Sequence, residues 1–314
     1  MQLNRFIEVE PIHSDGNIAN TMLAAGVGEL SVLSLFDGMS CGQIALHRAG
    51  LKVKQYYASE IDEYAIKVTQ HNYPNTIQLG DATKVTGLTD IDLLIGGSPC
   101  QGFSFAGKQL NFKDERSKLF FEFVRLKNEC NPKYFLLENV KMKKEYEDII
   151  TGYLGVKPLR INSLLVSAQN RERLYWTNIP VNSLPENRRI TIADLVGVEV
   201  EEKSDAVIVV NNIYPKKGQN GNVYALKGKS KTLSAGVGIT GNGIGSSNAP
   251  KIEWNNEQGW RRLTALECER LQTVPDNYTK VVSDTQRYKM LGNGWTVDVI
   301  AFILSHLNAG NTCG

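Results

Sequence analysis

From Ser31 to about Ile179, short apolar runs alternate with stretches of helical period, and this alternation limits the fold more than any other feature of the chain. Ser31-Val32-Leu33-Ser34-Leu35-Phe36 reads as a buried strand, followed by a Gly-containing turn and a helix ending near Gly50. Val53 to Ser59 reads as the next strand and Ile61 to His71 as the next helix. Ile91 to Ile95 is a further strand closed by Gly96-Gly97, Lys118 to Cys130 has helical period, and Tyr134 to Leu137 returns to strand. Strands separated by helices predict a mostly parallel sheet with helices on both faces. Ligands of such sheets bind beyond the carboxyl ends of the strands. Asp37, Glu60, Asp81, Cys100 and Glu138 all fall at or just past those ends.

After Pro180 the pattern changes. Nine glycines fall between Asn211 and Trp260, with short β-like pieces at Ala206 to Val210 and Val223 to Leu226. Between Asn211 and Arg262 stand eight Lys/Arg (Lys216, Lys217, Lys227, Lys229, Lys231, Lys251, Arg261, Arg262) against two acids, Glu253 and Glu257. The chain as a whole carries only +2, so a basic segment sits on a mildly acidic body. That asymmetry suggests a polyanion contact confined to one face, although a solvated lysine-rich loop fits it equally well. Residues 181–260 therefore read as a small, basic, loop-rich second domain. Thr264-Ala265-Leu266-Glu267 is a capping box that opens a helix through Gln272. A last helix from about Val297 to Leu307 is expected to pack back on the sheet. The larger domain thus comprises 31–180 and 261–314, preceded by an extension, 1–30, to which no role attaches.

Composition removes several classes of function. No apolar run approaches the roughly 18 residues of a membrane span, and the first 30 residues lack the pattern of a secretion signal. A cytoplasmic protein is expected, without a membrane partner. The five cysteines and four histidines are scattered with no CxxC pair or Cys/His cluster, so neither a disulfide framework nor a metal site is expected. The turn Phe36-Asp37-Gly38-Met39-Ser40-Cys41-Gly42 is not GxGxxG, which argues against a dinucleotide enzyme. Its glycines let the backbone approach a cofactor. A carboxylate at Glu60 can accept both hydroxyls of a ribose, and Asp81 can accept from an adenine amino group.

Cys100, in Gly96-Gly97-Ser98-Pro99-Cys100-Gln101, precedes a loop in which a thiol can be deprotonated and reached. Alone, it reads more readily as a structural thiol. Glu138-Asn139-Val140 places a carboxyl against apolar neighbours, where a raised pKa would suit a proton donor; most strand-end acids are only caps. In Gln169-Asn170-Arg171-Glu172-Arg173 the two arginines share one side of an extended segment. Such a pair suits a base carbonyl oxygen or a phosphate, or simply a surface ion-pair network.

Taken in order, these pieces resemble the C5-cytosine DNA methyltransferase family in its bacterial and phage form. The resemblance runs from about Ser31 to His306. It rests on Phe36–Gly42, on Gly97-Ser98-Pro99-Cys100-Gln101-Gly102-Phe103-Ser104, on Glu138-Asn139-Val140 and on Gln169–Arg173. Two further motifs are Arg262-Leu263-Thr264-x-x-Glu267-x-x-Arg270-Leu271-Gln272-x-x-Pro275 and Gly292-Asn293-Gly294-Trp295-Thr296-Val297. Asp37, Ser40-Cys41 and Trp295 depart from many bacterial members and look like the de novo branch of the eukaryotic enzymes.

The resemblance implies an S-adenosylmethionine-dependent, Rossmann-like α/β mixed sheet with helices on both faces, plus a small β- and loop-rich target recognition domain. It implies base flipping in double-stranded DNA, with Cys100 as nucleophile and Glu138 at N3 of the cytosine. Arg173 would take the base carbonyl oxygen, Arg171 would orient Glu138 or a phosphate, and Asn139 would belong to the catalytic group. Cofactor contacts are implied for Phe36, Asp37, Gly38, Met39, Ser40, Cys41, Gly42, Glu60, Ile61, Asp81, Ala82, Pro99, Asn293, Gly294 and Trp295. The loop 101–114 would close over the base. A monomer is the default, with self-association open. A tRNA cytosine methyltransferase on the same catalytic body is the nearest rival. A DNA-binding relative without activity is a second, although Cys, Glu and Arg are all present.

Overall fold

The computed structural model describes residues 28–98, 115–235 and 249–309. Pro99, Cys100, the loop 101–114, the Gly-rich run 236–248 and the extension before residue 28 lie outside the described residues. The first strand, β1 (Leu30–Leu35), is buried along its whole length. Its side chains alternate between two cores. Leu30 and Val32 join a cluster on one face of the sheet, whereas Leu33 and Leu35 join a cluster on the other. This is the period of two expected of a strand covered on both faces.

Helix α1 (Cys41–Arg48), strand β2 (Val53–Ser59), helix α2 (Glu63–Asn72) and the short β3 (Ile77–Gln78) follow. Next come β4 (Leu93–Gly97), α3 (Glu115–Cys130), β5 (Tyr134–Val140) and α4 (Lys144–Leu154). The polypeptide then forms β6 (Leu159–Asn162), β7 (Gln169–Asn170) and β8 (Glu172–Thr177). Seven strands make one sheet in the order β3-β2-β1-β4-β5-β8-β6. The first five are parallel, and β8 is antiparallel to both its neighbours, so the sheet is mixed. Phe120, Phe123 and Leu126 of α3 and Ile150 and Leu154 of α4 fill the core on one face.

The opposite face receives elements from both ends of the chain. After α5 (Ile192–Val196) come β9 (Val209–Asn212), β10 (Asn222–Tyr224), β11 (Ser230–Lys231), β12 (Lys251–Glu253) and β13 (Trp260–Arg262). These lead to α6 (Ala265–Leu271), α7 (Asp284–Asn293) and α8 (Val297–Ala309). Helix α8 packs with α1 in the same core through Ile300, Ile303, Leu304 and Leu307. Asn308 Nδ2 donates to Ala49 O at 2.9 Å, and Arg48 pairs with Asp298 at 2.6 Å. The capping box read from the sequence is present at α6: Thr264 Oγ1 accepts from Glu267 N, and Glu267 Oε2 accepts from Thr264 N at 2.7 Å.

The second, four-stranded sheet has the order β13-β12-β10-β9 and extends to Arg262, two residues past the expected boundary. β11 leaves it to pair in parallel with β7 beside the main sheet. One expectation about this segment is corrected. Lys229, counted with the basic surface, is fully buried. Its ammonium donates to the carbonyls of Leu164, Ser167 and Ile190 at 2.9, 3.2 and 2.6 Å and pairs with Asp205 at 3.3 Å. A buried ammonium with four oxygen partners is a structural tie, and no phosphate reaches it. Arg261 is likewise committed, donating to both carboxyl oxygens of Glu267 at 2.7 Å.

Candidate active site

At the carboxyl ends of β1, β2, β4 and β5 the structure opens into a cavity of about 460 Å³. Such a volume suits a drug- or cofactor-sized ligand. One wall is the turn after β1, where Phe36, Gly38 and Ser40 take φ of +57°, +60° and +62°. Left-handed backbone is open to Gly38 but costs Phe36 and Ser40 of the order of 1–2 kcal/mol each. Several bonds hold the turn in this shape. Glu60 Oε2 accepts from Gly38 N at 2.7 Å, Tyr56 Oη donates to Asp37 Oδ1 at 2.7 Å, and Tyr278 Oη donates to Met39 O at 2.7 Å. Ser40 Oγ donates to the second oxygen of Asp37.

Glu60 also accepts from Ile61 N and Asp62 N, both at 2.8 Å, so it fixes the second strand end as well as the first turn. Its carboxylate, with two oxygens on the cavity wall, retains acceptor capacity for hydroxyls. Asp81 lines the same cavity while accepting from Thr83 N at 3.0 Å and Thr83 Oγ1 at 2.9 Å. Those bonds hold its carboxyl below the usual aspartate range. Phe36, Asp37, Gly38, Met39, Cys41, Ile61, Ala82, Asn293, Gly294 and Trp295 complete the expected cofactor set on this wall. Ser40 and Gly42 do not join it. Ser40 is fully buried under the turn, and a Cβ on Gly42 would stand 2.5 Å from Ile95 Cδ1 and 2.6 Å from Tyr56 Oη. The second glycine of the turn therefore allows close packing of α1 on the sheet.

The other wall carries the expected catalytic group. Strand β5 continues through Val140, so Glu138 lies within it, paired with Gly97 of β4 on one side and Tyr175 of β8 on the other. Arg173 is the diagonal neighbour of Glu138 across the β5–β8 ladder, within reach of a long side chain. Arg173 Nε lies 3.1 Å from Glu138 Oε1, an ion pair not aligned as a hydrogen bond. Trp295 Nε1 donates to Glu138 Oε2 at 3.3 Å. Asn139 Nδ2 donates to Ser98 Oγ at 3.0 Å, so this amide braces the segment that leads to Cys100.

Arg171 behaves differently from its expected partner role. It is buried, and its guanidinium donates to Leu233 O at 2.8 Å, Gly294 O at 3.0 Å and Gly292 O at 3.3 Å. These carbonyls belong to the segment after β11, to α7 and to the loop between α7 and α8. The residue sits between β7, which pairs with β11, and β8, which pairs with β5 and β6. Arg171 also lines the cavity that holds Glu138 and Arg173.

Sequence reading assigned no role to the buried amides Gln169 and Gln272. Gln169 Nε2 donates to Leu271 O at 2.9 Å and Gln272 Oε1 at 2.8 Å, and its Oε1 accepts from Leu233 N at 3.2 Å. Gln272 Nε2 donates to Leu291 O at 2.6 Å and Gly294 O at 3.2 Å, and Thr296 Oγ1 donates to its Oε1 at 2.9 Å. Their places in two motifs were the only signal. Among the described cysteines, burial pushes the Cys41 thiol up to about 12 and raises Cys268 further, and Cys130 is raised as well. None of the three offers a thiolate near neutral pH.

A parallel-centred sheet with this cavity at its carboxyl edge defines a Rossmann-like methyltransferase fold. Solved structures agree in fold: a Dnmt2 methyltransferase from S. pombe (TM-score 0.65, 19% identity, 90% of this chain and 100% of that one) and the Entamoeba histolytica methyltransferase EhMeth (TM-score 0.69, 16% identity, 90% and 99%). The family model for the C-5 cytosine-specific DNA methylase matches residues 30–150 and 156–309. The chain is 32% identical over 305 residues to the type II methyltransferase M1.ScrFI of Lactococcus lactis, covering 86% of this chain and 75% of that protein. To M.HhaI of Haemophilus parahaemolyticus it is 29% identical over 319 residues, covering 89% and 94%. This chain belongs to the C-5 cytosine-specific DNA methylase family, and its activity is that of a DNA cytosine-5-methyltransferase.

Proposed function

We propose that the protein methylates carbon 5 of a cytosine flipped out of double-stranded DNA, with S-adenosylmethionine as methyl donor and Cys100 as nucleophile. The observation that carries this reading is that Glu138, with Arg173 on one oxygen and Trp295 on the other, shares one cavity with the Glu60-braced turn. A base and a methyl donor can therefore meet inside it. The residues fit the donor: Glu60 offers carboxylate oxygens to ribose hydroxyls, exposed Ile61 offers an apolar face to adenine, and Asp81 offers an acceptor to its amino group. When bound, S-adenosylmethionine supplies an electrophilic methyl group on a cationic sulfur.

In this reading the Cys100 thiolate forms a bond to carbon 6 of the flipped base, and Glu138 donates a proton or hydrogen bond to N3 as charge develops there. Arg173 donates to the base carbonyl oxygen. Carbon 5 gains nucleophilic character and takes the methyl group, leaving S-adenosylhomocysteine. Water then takes the C5 proton, N3 returns its proton to Glu138, and the thiolate leaves as the ring is restored. Asn139, through Ser98, holds the strand end from which Cys100 departs. The segment 181–260 reads the DNA.

Cys100→Ser is predicted to abolish methyl transfer while cofactor affinity stays within about threefold, measured by radiolabel transfer and by calorimetry. Turnover retained by this variant would sink the nucleophile assignment. Expression in a methylation-free host, followed by bisulfite mapping, tests the activity and gives the target sequence. Methylation of transfer RNA rather than DNA in the same preparation favours the rival.

A further inference from the structure

Trp295 does more than its place on the cofactor wall requires. Its indole nitrogen faces Glu138 Oε2 at 3.3 Å, on the side of the carboxyl away from Arg173. Gly97 makes the space between them. A Cβ at that position would stand 2.8 Å from Trp295 Nε1 and 3.2 Å from Glu138 Oε2. The backbone that carries the indole is held from both sides. Arg171 and Gln272 both donate to Gly294 O, at 3.0 and 3.2 Å, and Cys41 Sγ lies 3.9 Å from Trp295 O. Thr296, the next residue, is fixed to Gln272 at 2.9 Å and accepts from Ser163 at 2.9 Å. A side chain on so constrained a loop has little freedom of aim.

We propose that Trp295 is a positioning residue whose indole N–H holds the Glu138 carboxyl toward the base. The inference rests on the reading of Glu138 as the group at N3. Indole and guanidinium N–H groups only donate, so each Glu138 oxygen faces a donor, Trp295 at Oε2 and Arg173 at Oε1, and the two together fix the rotation of the carboxyl. The same contact links the Gly294–Trp295 loop on the cavity wall to the proton donor. A misplaced loop then misplaces the catalytic carboxyl as well.

Trp295→Phe keeps most of the ring volume and removes the donor. The expected result is a fall in kcat of about tenfold, equivalent to about 1.4 kcal/mol. KM for S-adenosylmethionine and for DNA should stay within about twofold. In a Glu138→Gln background, followed by single-turnover methyl transfer at enzyme excess, the same exchange should change the rate by less than twofold. Gly97→Ala, which pushes between indole and carboxyl from the sheet side, should also lower kcat, and should add little to Trp295→Phe. An unchanged kcat with a raised cofactor KM overturns the proposal and leaves Trp295 a cofactor contact only. A tenfold loss in both backgrounds overturns it too, since the effect would not pass through Glu138. Full turnover by Glu138→Gln alone brings down the underlying reading together with the inference, whereas an inactive Glu138→Gln beside an unaffected Trp295→Phe brings down only the inference.

Discussion

Asp37 shows how the cofactor turn is held at a cost in stability. Its carboxyl is raised from 3.8 to about 6, first by burial and also by nearby Glu60, while hydroxyl donors, Ser40 and Tyr56 among them, oppose the rise. In the unfolded chain the group ionises near 3.8, so between about pH 4 and 6 the folded state binds more protons. Stability from this residue is therefore present at low pH and lost as pH rises through that window. Two units correspond to at most about 3 kcal/mol, and partial exposure to the cavity reduces the figure. Asp37→Asn should remove this slope. Urea unfolding at pH 4 and pH 7 is expected to show the variant gaining about 2 kcal/mol on the wild type between the two; a constant difference would refute the assignment. The turn needs acceptors for Ser40 and Tyr56, and the amide supplies only one oxygen, so the variant should also weaken cofactor binding.

Among the elements, the ties that position the site run between segments far apart in sequence, and Lys229 is the most demanding of them. Its ammonium joins the Ser163–Leu165 turn, the segment before α5 and Asp205. Lys229→Met should therefore cost about 3–5 kcal/mol, because three carbonyls lose their donor in a dry setting. Chemical denaturation of the two proteins tests this, and a loss below about 1 kcal/mol would show that water replaces the ammonium. Such long-range ties explain what the sequence made legible. Strands β1, β2 and β4 and the α6 cap announce themselves by local period and spacing, and so do the acids at strand ends. Helix α7 did not, since only its last turn, Met290 to Gly292, is buried and no apolar stripe forms. Gln169 and Gln272 were silent because a buried amide network joining residues about a hundred positions apart has no local signature. Arg171 and Arg173 were read as a pair from their spacing. Both line the cavity, where Arg171 donates to backbone carbonyls and Arg173 pairs with Glu138.

For the whole molecule, the basic character read from the sequence must be redrawn on the fold. Of the eight cations between 211 and 262, Lys229 and Lys251 are buried and Arg261 is bound to Glu267. Burial and the neighbouring cations Arg262 and Lys231 lower Lys251 to about 8, so its charge declines just above neutrality. Lys216 and Lys227 stand exposed on the second lobe. If this lobe meets the DNA, these two exposed side chains are placed to displace counterions from phosphates. Each contact of that kind contributes about 0.9 to the slope of log affinity against log salt. Lys216→Gln and Lys227→Gln should therefore each lower the slope by about 0.9 where the lysine touches a phosphate, with the fold and the cofactor affinity unchanged. Fluorescence anisotropy with a labelled duplex at several salt concentrations measures this directly. Target sequence is not needed, because the phosphate contribution is common to all duplexes. A slope left intact by both exchanges would show that neither lysine touches a phosphate.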